Sequence, residues 1–440
     1  MQKSATVWWQ IFYWMLPFSS GTFRNWCFFY YFCISVKTQI MDSTIYKPLR
    51  YAAALLLCSF ILLFTACNRE EPEEPAIEQQ PTTAQLTSTV HYAADKMTAY
   101  NFTYTSTDPY GEPVTLSATI TMSDKLTTDD IAEGIMLYNH FTVYRADQCP
   151  SLGYLGEQAM IVGSGLITIS PDYYGFGVTE DKPQAYCISR DNAQAAVDAL
   201  IEGRKLLANM GFRWKDNLFN VGYSQGGQTS LAVVRLISEK YPNIHITKTF
   251  AGGGSYDLPA TYRRFVVIDR SAMPSTVISV MLAYNHFKEL GIARDSMFLE
   301  PVLSHIDDWV LNKRYTREEI DALVGTNDLS FFITPAMMDT NSSVSHRMMA
   351  ALDGDNLCKG WTPRSDESLM LVHHTLDGAV PVENTLNLIA FLQQQGVTDI
   401  DVVVGDFGNA MGMPAHETGA LMLINAAKEW LCQYLGVAAW

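Results

Sequence analysis

Charge is scarce in this chain, and what there is leans one way. Only 17% of its 440 residues are charged, with 30 Lys+Arg against 46 Asp+Glu and a net charge of −16. A chain so short of basic residues lacks the electrostatic footprint of a nucleic-acid binder, so no nucleic acid is expected as a partner. Cysteine is thinly spread as well: beyond the first 70 residues only Cys149, Cys187, Cys358 and Cys432 occur. No internal repeat is present, which argues against solenoids and propellers. Disorder of the mature chain is excluded from the other side, because 48% of the residues are hydrophobic. A chain of 440 residues can bury a large core and holds one elaborated domain or two smaller ones.

Part of the apolar excess lies at the N-terminus and has to be set aside before the fold is considered. Residues 1–40 carry Trp8, Trp9, Trp14 and Trp26 among many Phe and Tyr, with no helical or alternating period, and read as a mis-set start. From Met41 a signal peptide is expected over 41–66, with Lys47 and Arg50 as its basic region and Tyr51 to Phe64 as its apolar region. Leu63-Phe64-Thr65-Ala66-Cys67 resembles a lipobox, which implies a lipid on Cys67, a membrane anchor, and export to the bacterial outer membrane. The acidic, Pro-rich stretch that follows, 67–88, reads as an extended tether. It also resembles a signal that sends lipoproteins to the cell surface.

From about residue 89 the chain changes texture. Tyr100 to Tyr104 and Val114 to Ile120 alternate with period two across the turn Asp108-Pro109-Tyr110-Gly111, predicting two antiparallel strands. Short apolar runs follow, Gly134 to Tyr138, Gly165 to Ile169, Leu218 to Tyr223 and Ile244 to Phe250, with a helical period over Asp191 to Leu207. Alternating strands and helices predict a mostly parallel sheet covered on both faces. The expected organisation is a first core part over 89–256, a helical cap over 257–365, and a second core part over 366–440. Within the cap, Met273 to Phe287, Ser304 to Leu311, Glu318 to Val324 and Pro335 to Met338 read as short helices.

The chemistry gathers around Val221-Gly222-Tyr223-Ser224-Gln225-Gly226-Gly227. Gly-x-Ser-x-Gly alone arises by chance in roughly one chain in ten of this length. Here an apolar strand precedes it and a helical run follows, the setting of a nucleophile elbow, in which a strained turn lifts the serine above the sheet. Side chains at Gly222 and Gly226 would collide with neighbouring backbone. A serine hydroxyl needs a base, and on such a scaffold the partners follow in the order Ser, acid, His. Asp377 follows the Leu369–His373 strand, and His416 lies in the loop Gly412 to His416, so Ser224, Asp377 and His416 are the candidate triad, with Asp406 in reserve. The oxyanion hole is expected from the backbone N–H of Gln225 and from that of Phe141 or Thr142. His140, next to them, reads as a loop or pocket-wall residue, and His373 and His374 as packing or loop residues.

Pro171 to Gly177, Gly222 to Gly227 and Gly253 to Leu258 resemble the α/β-hydrolase superfamily, nearest its secretory lipase/esterase branch. The similarity covers about 95–260 and 365–435. It implies an α/β-hydrolase fold, a mostly parallel sheet with antiparallel N-terminal strands and an inserted helical cap. It also implies a serine ester hydrolase that works through Ser224, Asp377 and His416 and an acyl-enzyme, on a small acyl ester or lipid, with no metal or cofactor. A serine peptidase and a non-catalytic binding lipoprotein are the alternatives. Where a typical lipase carries a His-Gly oxyanion loop, this chain has Asn139-His140-Phe141. Asp172 matches the branch too, and a strand-end Asp satisfying loop N–H groups accounts for it equally. Two further expectations concern the exported chain. A Cys149–Cys187 disulfide is expected, separate burial of the thiols being the alternative. The runs Val266 to Ile268, Val277 to Leu282 and Phe331 to Ile333 would line an acyl pocket.

Overall fold

The computed structural model describes residues 81–153 and 164–437. Residues 1–66, the lipidation candidate Cys67 and the tether as far as residue 80 lie outside the described residues. So do 154–163 and 438–440.

Eleven strands are described: β1 Gln85–Tyr92, β2 Met97–Thr107, β3 Pro113–Ser123, β4 Ile131–Ala132, β5 Ile135–Asn139, β6 Ile167–Pro171, β7 Arg213–Trp214, β8 Leu218–Tyr223, β9 Lys248–Gly252, β10 Ser368–His374 and β11 Asp399–Gly405. Nine of them form one sheet in the order β1-β2-β3-β6-β5-β8-β9-β10-β11, while β4 and β7 pair separately. The pairings β1–β2, β2–β3 and β3–β6 are antiparallel; from β6 across the sheet to β11 every pairing is parallel. Such a sheet has to be covered on both faces, and the fully buried runs of β5, β6 and β8 agree.

The covering helices are α1 Ser189–Asn209, α2 Gln225–Lys240, α3 Leu258–Ile268, α4 Pro274–Phe287, α5 Val302–Ile306, α6 Arg317–Val324, α7 Pro335–Met338, α8 Ser343–Gly354, α9 Glu383–Gln394 and α10 Ala415–Leu435. Helix α10 covers the second face, where Leu423, Ala427 and Leu431 pack with Phe219, Val221 and Phe250. Burying each such leucine contributes about 1.5–3 kcal/mol. Among the described residues no helix is long and apolar enough to cross a membrane.

The structure shifts several boundaries expected from sequence. Folded chain begins before residue 89: Thr82 and Thr83 bond the Glu202 carboxylate, and β1 starts at Gln85, inside the stretch expected as tether. Most of β1 is solvent-exposed, so it has no buried alternation to betray it; its ladder with β2 holds it in place. Helices α3 and α8, between β9 and β10, were likewise unmarked in the sequence. The expected disulfide is absent: Cys149 and Cys187 are both free and buried. Each thiol has its own apolar surroundings, Cys149 beside Val143 and Phe176, Cys187 within the main core.

Candidate active site

Strand β8 delivers Ser224 at the sheet's carboxyl edge, and α2 begins with the next residue. Ser224 has φ 58° and ψ −121°, a conformation a non-glycine residue holds only at a cost. Its N–H donates to Gly252 O at 2.9 Å and its carbonyl accepts from Gln228 N–H at 3.1 Å, so both neighbours enforce the turn. The two glycines behave as expected. A Cβ on Gly222 would strike the carbonyl of Gly226, and one on Gly226 would strike that of Asn139. The elbow therefore packs backbone against backbone.

Two further segments complete the group. After β10 the chain turns so that Asp377 Oδ1 accepts the N–H groups of Ala379, at 2.8 Å, and Val380, at 2.9 Å. Asp377 Oδ2 faces His416 Nδ1 at 2.6 Å, and His416 Nε2 faces Ser224 Oγ at 2.9 Å. His416 does not sit in a loop as expected: it is the second residue of α10. Pro414 immediately precedes that helix and accepts from Thr418 N–H at 2.9 Å, so the Gly/Pro-containing stretch is a helix start. Asp406 does not join this group: its exposed carboxylate accepts from Gly408 N–H at 2.9 Å and lies 3.6 Å from His374.

A family model described as secretory lipase matches residues 157–434. The chain belongs to the secretory lipase family. Membership makes it a hydrolase of ester bonds and implies export. Its fold is similar to that of a rice cell wall degrading esterase, LipA, from Xanthomonas oryzae, at 18% identity and a TM-score of 0.69 over 81% of this chain and 99% of that one. It is also similar to Candida antarctica lipase A in its closed state, at 13% identity and a TM-score of 0.61 over 81% of this chain and 82% of that one. These likenesses show the α/β-hydrolase fold. No curated protein matches by sequence.

In this secretory lipase the buried acid and histidine polarise one another. Burial works against the Asp377 charge, yet His416 and His373 outweigh it and hold the carboxyl well below the usual carboxylate range. Burial also opposes a charge on His416, but the Asp377 carboxylate more than offsets it and raises the imidazole above its ordinary value.

Ser224 opens onto two cavities. One of about 60 Å³ is walled mainly by apolar side chains of the insertion, Phe265, Val277, Val280 and Met281 among them, and by Gln225. The other, about 420 Å³, brings Ser224 together with His416, Phe141, Thr142, Arg317 and Glu417. Of the three apolar runs expected at the pocket, only Val277 to Leu282 reaches it. Val267 and Phe331 point to solvent, 75% and 67% exposed, and Phe332 and Ile333 are buried elsewhere in the insertion.

The loop carrying Phe141 and Thr142 is fixed from behind. Asn139 donates to Asn220 Oδ1 at 2.7 Å and to Ser230 Oγ at 2.9 Å, both on the β8–α2 unit. His140 is a loop residue rather than a pocket wall, fully buried, stacked on Tyr173 with ring centroids 4.3 Å apart and bonded to Phe141 O at 2.7 Å. Burial pushes its pKa down to about 4. Asp172 accepts from Ser151 N–H at 2.8 Å and from the hydroxyls of Ser117 and Ser151, as a strand-end Asp should.

The residue that the sequence passed over is His373. Expected to be a packing or loop residue, it places its ring 3.4 Å from the Asp377 carboxylate. Its spacing of four residues before Asp377, across a strand end, was the available signal.

Proposed function

We propose that Ser224, His416 and Asp377 form the catalytic triad of a serine carboxylic-ester hydrolase that works through an acyl-enzyme. The observation that carries this is the His416 ring, bonded at 2.9 Å to Ser224 Oγ and at 2.6 Å to Asp377 Oδ2. Ser224 Oγ attacks the ester carbonyl, and the proton it loses passes to His416 Nε2. The tetrahedral oxyanion is held by the N–H of Gln225 and by that of Phe141 or Thr142, all bordering the cavities that meet at Ser224. His416 then returns the proton to the departing alkoxide as the carbon–oxygen bond breaks. Water repeats the sequence on the acyl-enzyme and frees Ser224. Asp377 keeps the imidazole in the tautomer with its proton on Nδ1 and stabilises the imidazolium.

The unequal cavities suggest how the ester lies. The small apolar one receives the acyl chain and the larger, charge-rimmed one receives the alcohol part. A water needs roughly 10–15 Å³ of such space. A volume of about 60 Å³ therefore accommodates an acyl chain of only a few carbons. The insertion accordingly acts as a cap whose α4 sets acyl length. The same chain would be held at the membrane by a lipid on Cys67 after removal of 1–66. Mass spectrometry of the native N-terminus checks that, an intact Ala66–Cys67 bond in the mature protein contradicting it.

A panel of p-nitrophenyl esters beside matched peptide substrates tests the function. The expected result is turnover of short acyl esters that declines with chain length. Efficient peptide cleavage with negligible ester turnover would overturn it.

A further inference from the structure

Asp377 does more than face His416. Its side chain is fully buried, and a buried carboxylate has to be compensated by donors. Three of them are described above: Ala379 N–H, Val380 N–H and His416. The fourth neighbour is His373, on β10, whose own side chain is also fully buried. His373 Nε2 lies 2.9 Å from Val380 O and 3.4 Å from Asp377 Oδ2. A carbonyl and an ionised carboxylate can only accept, so Nε2 has to carry a proton. On the other side of the ring, Nδ1 lies 2.7 Å from Thr385 Oγ1, a hydroxyl able to donate. A neutral imidazole protonated at Nε2 accounts for all three contacts, its one N–H donated to Val380 O and shared more distantly with Asp377 Oδ2.

We propose that His373 is a positioning residue of the triad: its Nε2–H holds the carboxylate oxygen that receives His416 and braces the turn that wraps the acid. Val380 connects the two roles. Its N–H donates to Asp377 Oδ1 while its carbonyl receives His373, so the turn from 377 to 380 is held from both ends. The inference rests on the triad reading and adds a tuning function to it. Each donor to the carboxylate reduces its basicity, and with it the degree to which Asp377 favours a charged His416. Losing the His373 donor therefore raises the pKa of His416 further and moves the acid limb of activity to higher pH. The other groups acting on the pair stay in place: Tyr223, its ring 5.1 Å from that of His416, and Glu417 and Arg317 beside the histidine.

The test is a set of pH profiles of kcat and KM on a short p-nitrophenyl ester. His373→Met, similar in volume and lacking a donor, should lower kcat about 10-fold, less than the roughly 10²–10⁴-fold that a general acid–base group itself contributes, while leaving KM nearly unchanged. Its acid midpoint should rise by about 0.5 unit, part of what a full charge-assisted hydrogen bond is worth. His373→Gln, whose amide N–H can reach the same oxygen, should restore the wild-type midpoint. A midpoint unmoved in His373→Met, or moved equally in both variants, overturns the proposal. Should His373→Met not fold, ¹⁵N NMR of the wild type decides it: the Nε2–H tautomer at His373 supports the assignment, and the Nδ1–H tautomer refutes it. Turnover that survives Ser224→Ala would instead sink the triad reading, and this inference with it.

Discussion

Two regions meet at Ser224, and they are built on different principles. The sheet edge is polar and over-determined. Ser224, Asp377 and His416 each sit where a strand ends or a helix begins, and backbone bonds such as Ser224 N–H to Gly252 O fix the turns. The helical insertion between β9 and β10 is apolar toward the small cavity, lends Arg317 to the larger one, and is fastened to the rest of the fold by polar side chains. Lys313 Nζ donates to the carbonyls of Gly175, Glu180 and Lys182; Tyr284 OH donates to Cys187 O at 3.0 Å; and Arg317 reaches Glu417 at 3.1 Å. On the proposed mechanism the edge carries the chemistry, where a displacement of about 1 Å can cost 10²-fold. The insertion shapes the space beside it, where side-chain volume matters more than placement. Substitutions at the edge should therefore change kcat with little effect on stability, and substitutions in the insertion should change specificity and stability together.

The sharpest break in that contrast is Ser224→Ala. It should lower kcat by about 10⁶, as loss of a triad nucleophile does elsewhere, with a thermal midpoint close to the wild type. A large fall in Tm would show that the hydroxyl is structural. Next comes Asp377→Asn, for which a loss of about 10⁴ in kcat is expected. Asp406→Asn, measured alongside, should turn over like the wild type; the reverse pattern would exchange their roles.

Met281→Ala addresses the other region. Met281 is buried and lines the small cavity, so truncation should destabilise by about 2–5 kcal/mol by denaturant unfolding. The same change should shift preference several-fold toward longer acyl esters. Stability lost with an unchanged chain-length profile would deny the insertion its part in specificity.

The smallest effect is in the pH profile. His416 has to be neutral to accept the Ser224 proton, and its pKa is raised above 6.5. Activity should fall as pH drops through a midpoint above 6.5, while Asp377, held well below its usual range, stays ionised throughout that interval. An acid limb centred below 6.5 in kcat/KM would show that the pair is not coupled as described.

The same contrast explains what could be read from the sequence. The elbow was legible because its requirements are local: glycines at fixed offsets, an apolar strand before them and a helical run after, observed as β8 and α2 on either side of Ser224. Asp377 and His416 followed from chain order and from strand ends. The local setting of His416 was misread by two residues: a last helix reads from about Glu417 in the sequence, and the helix begins at Ala415, directly after Pro414. In the insertion, α4 and α7 were legible through a proline at their first helical position. Helices α3 and α8 were not, and neither was the failure of the Val266–Ile268 run to reach the pocket, because which apolar side chains face the serine depends on how the helices pack. The role of His373 was hidden for a similar reason. A buried histidine beside an acid is ordinary packing until its ring nitrogens are seen to face Val380 O, Asp377 Oδ2 and Thr385 Oγ1.

The central claim is that Ser224 is the nucleophile, activated by His416. It is tested most directly by reacting the full exported chain with a fluorophosphonate and mapping the adduct by peptide mass spectrometry, for the wild type and for His416→Ala. The account predicts one adduct per chain, on Ser224, and strongly slowed labelling once His416 is removed. An adduct on a different residue, or ester turnover by a protein in which Ser224 remains unlabelled, would contradict it.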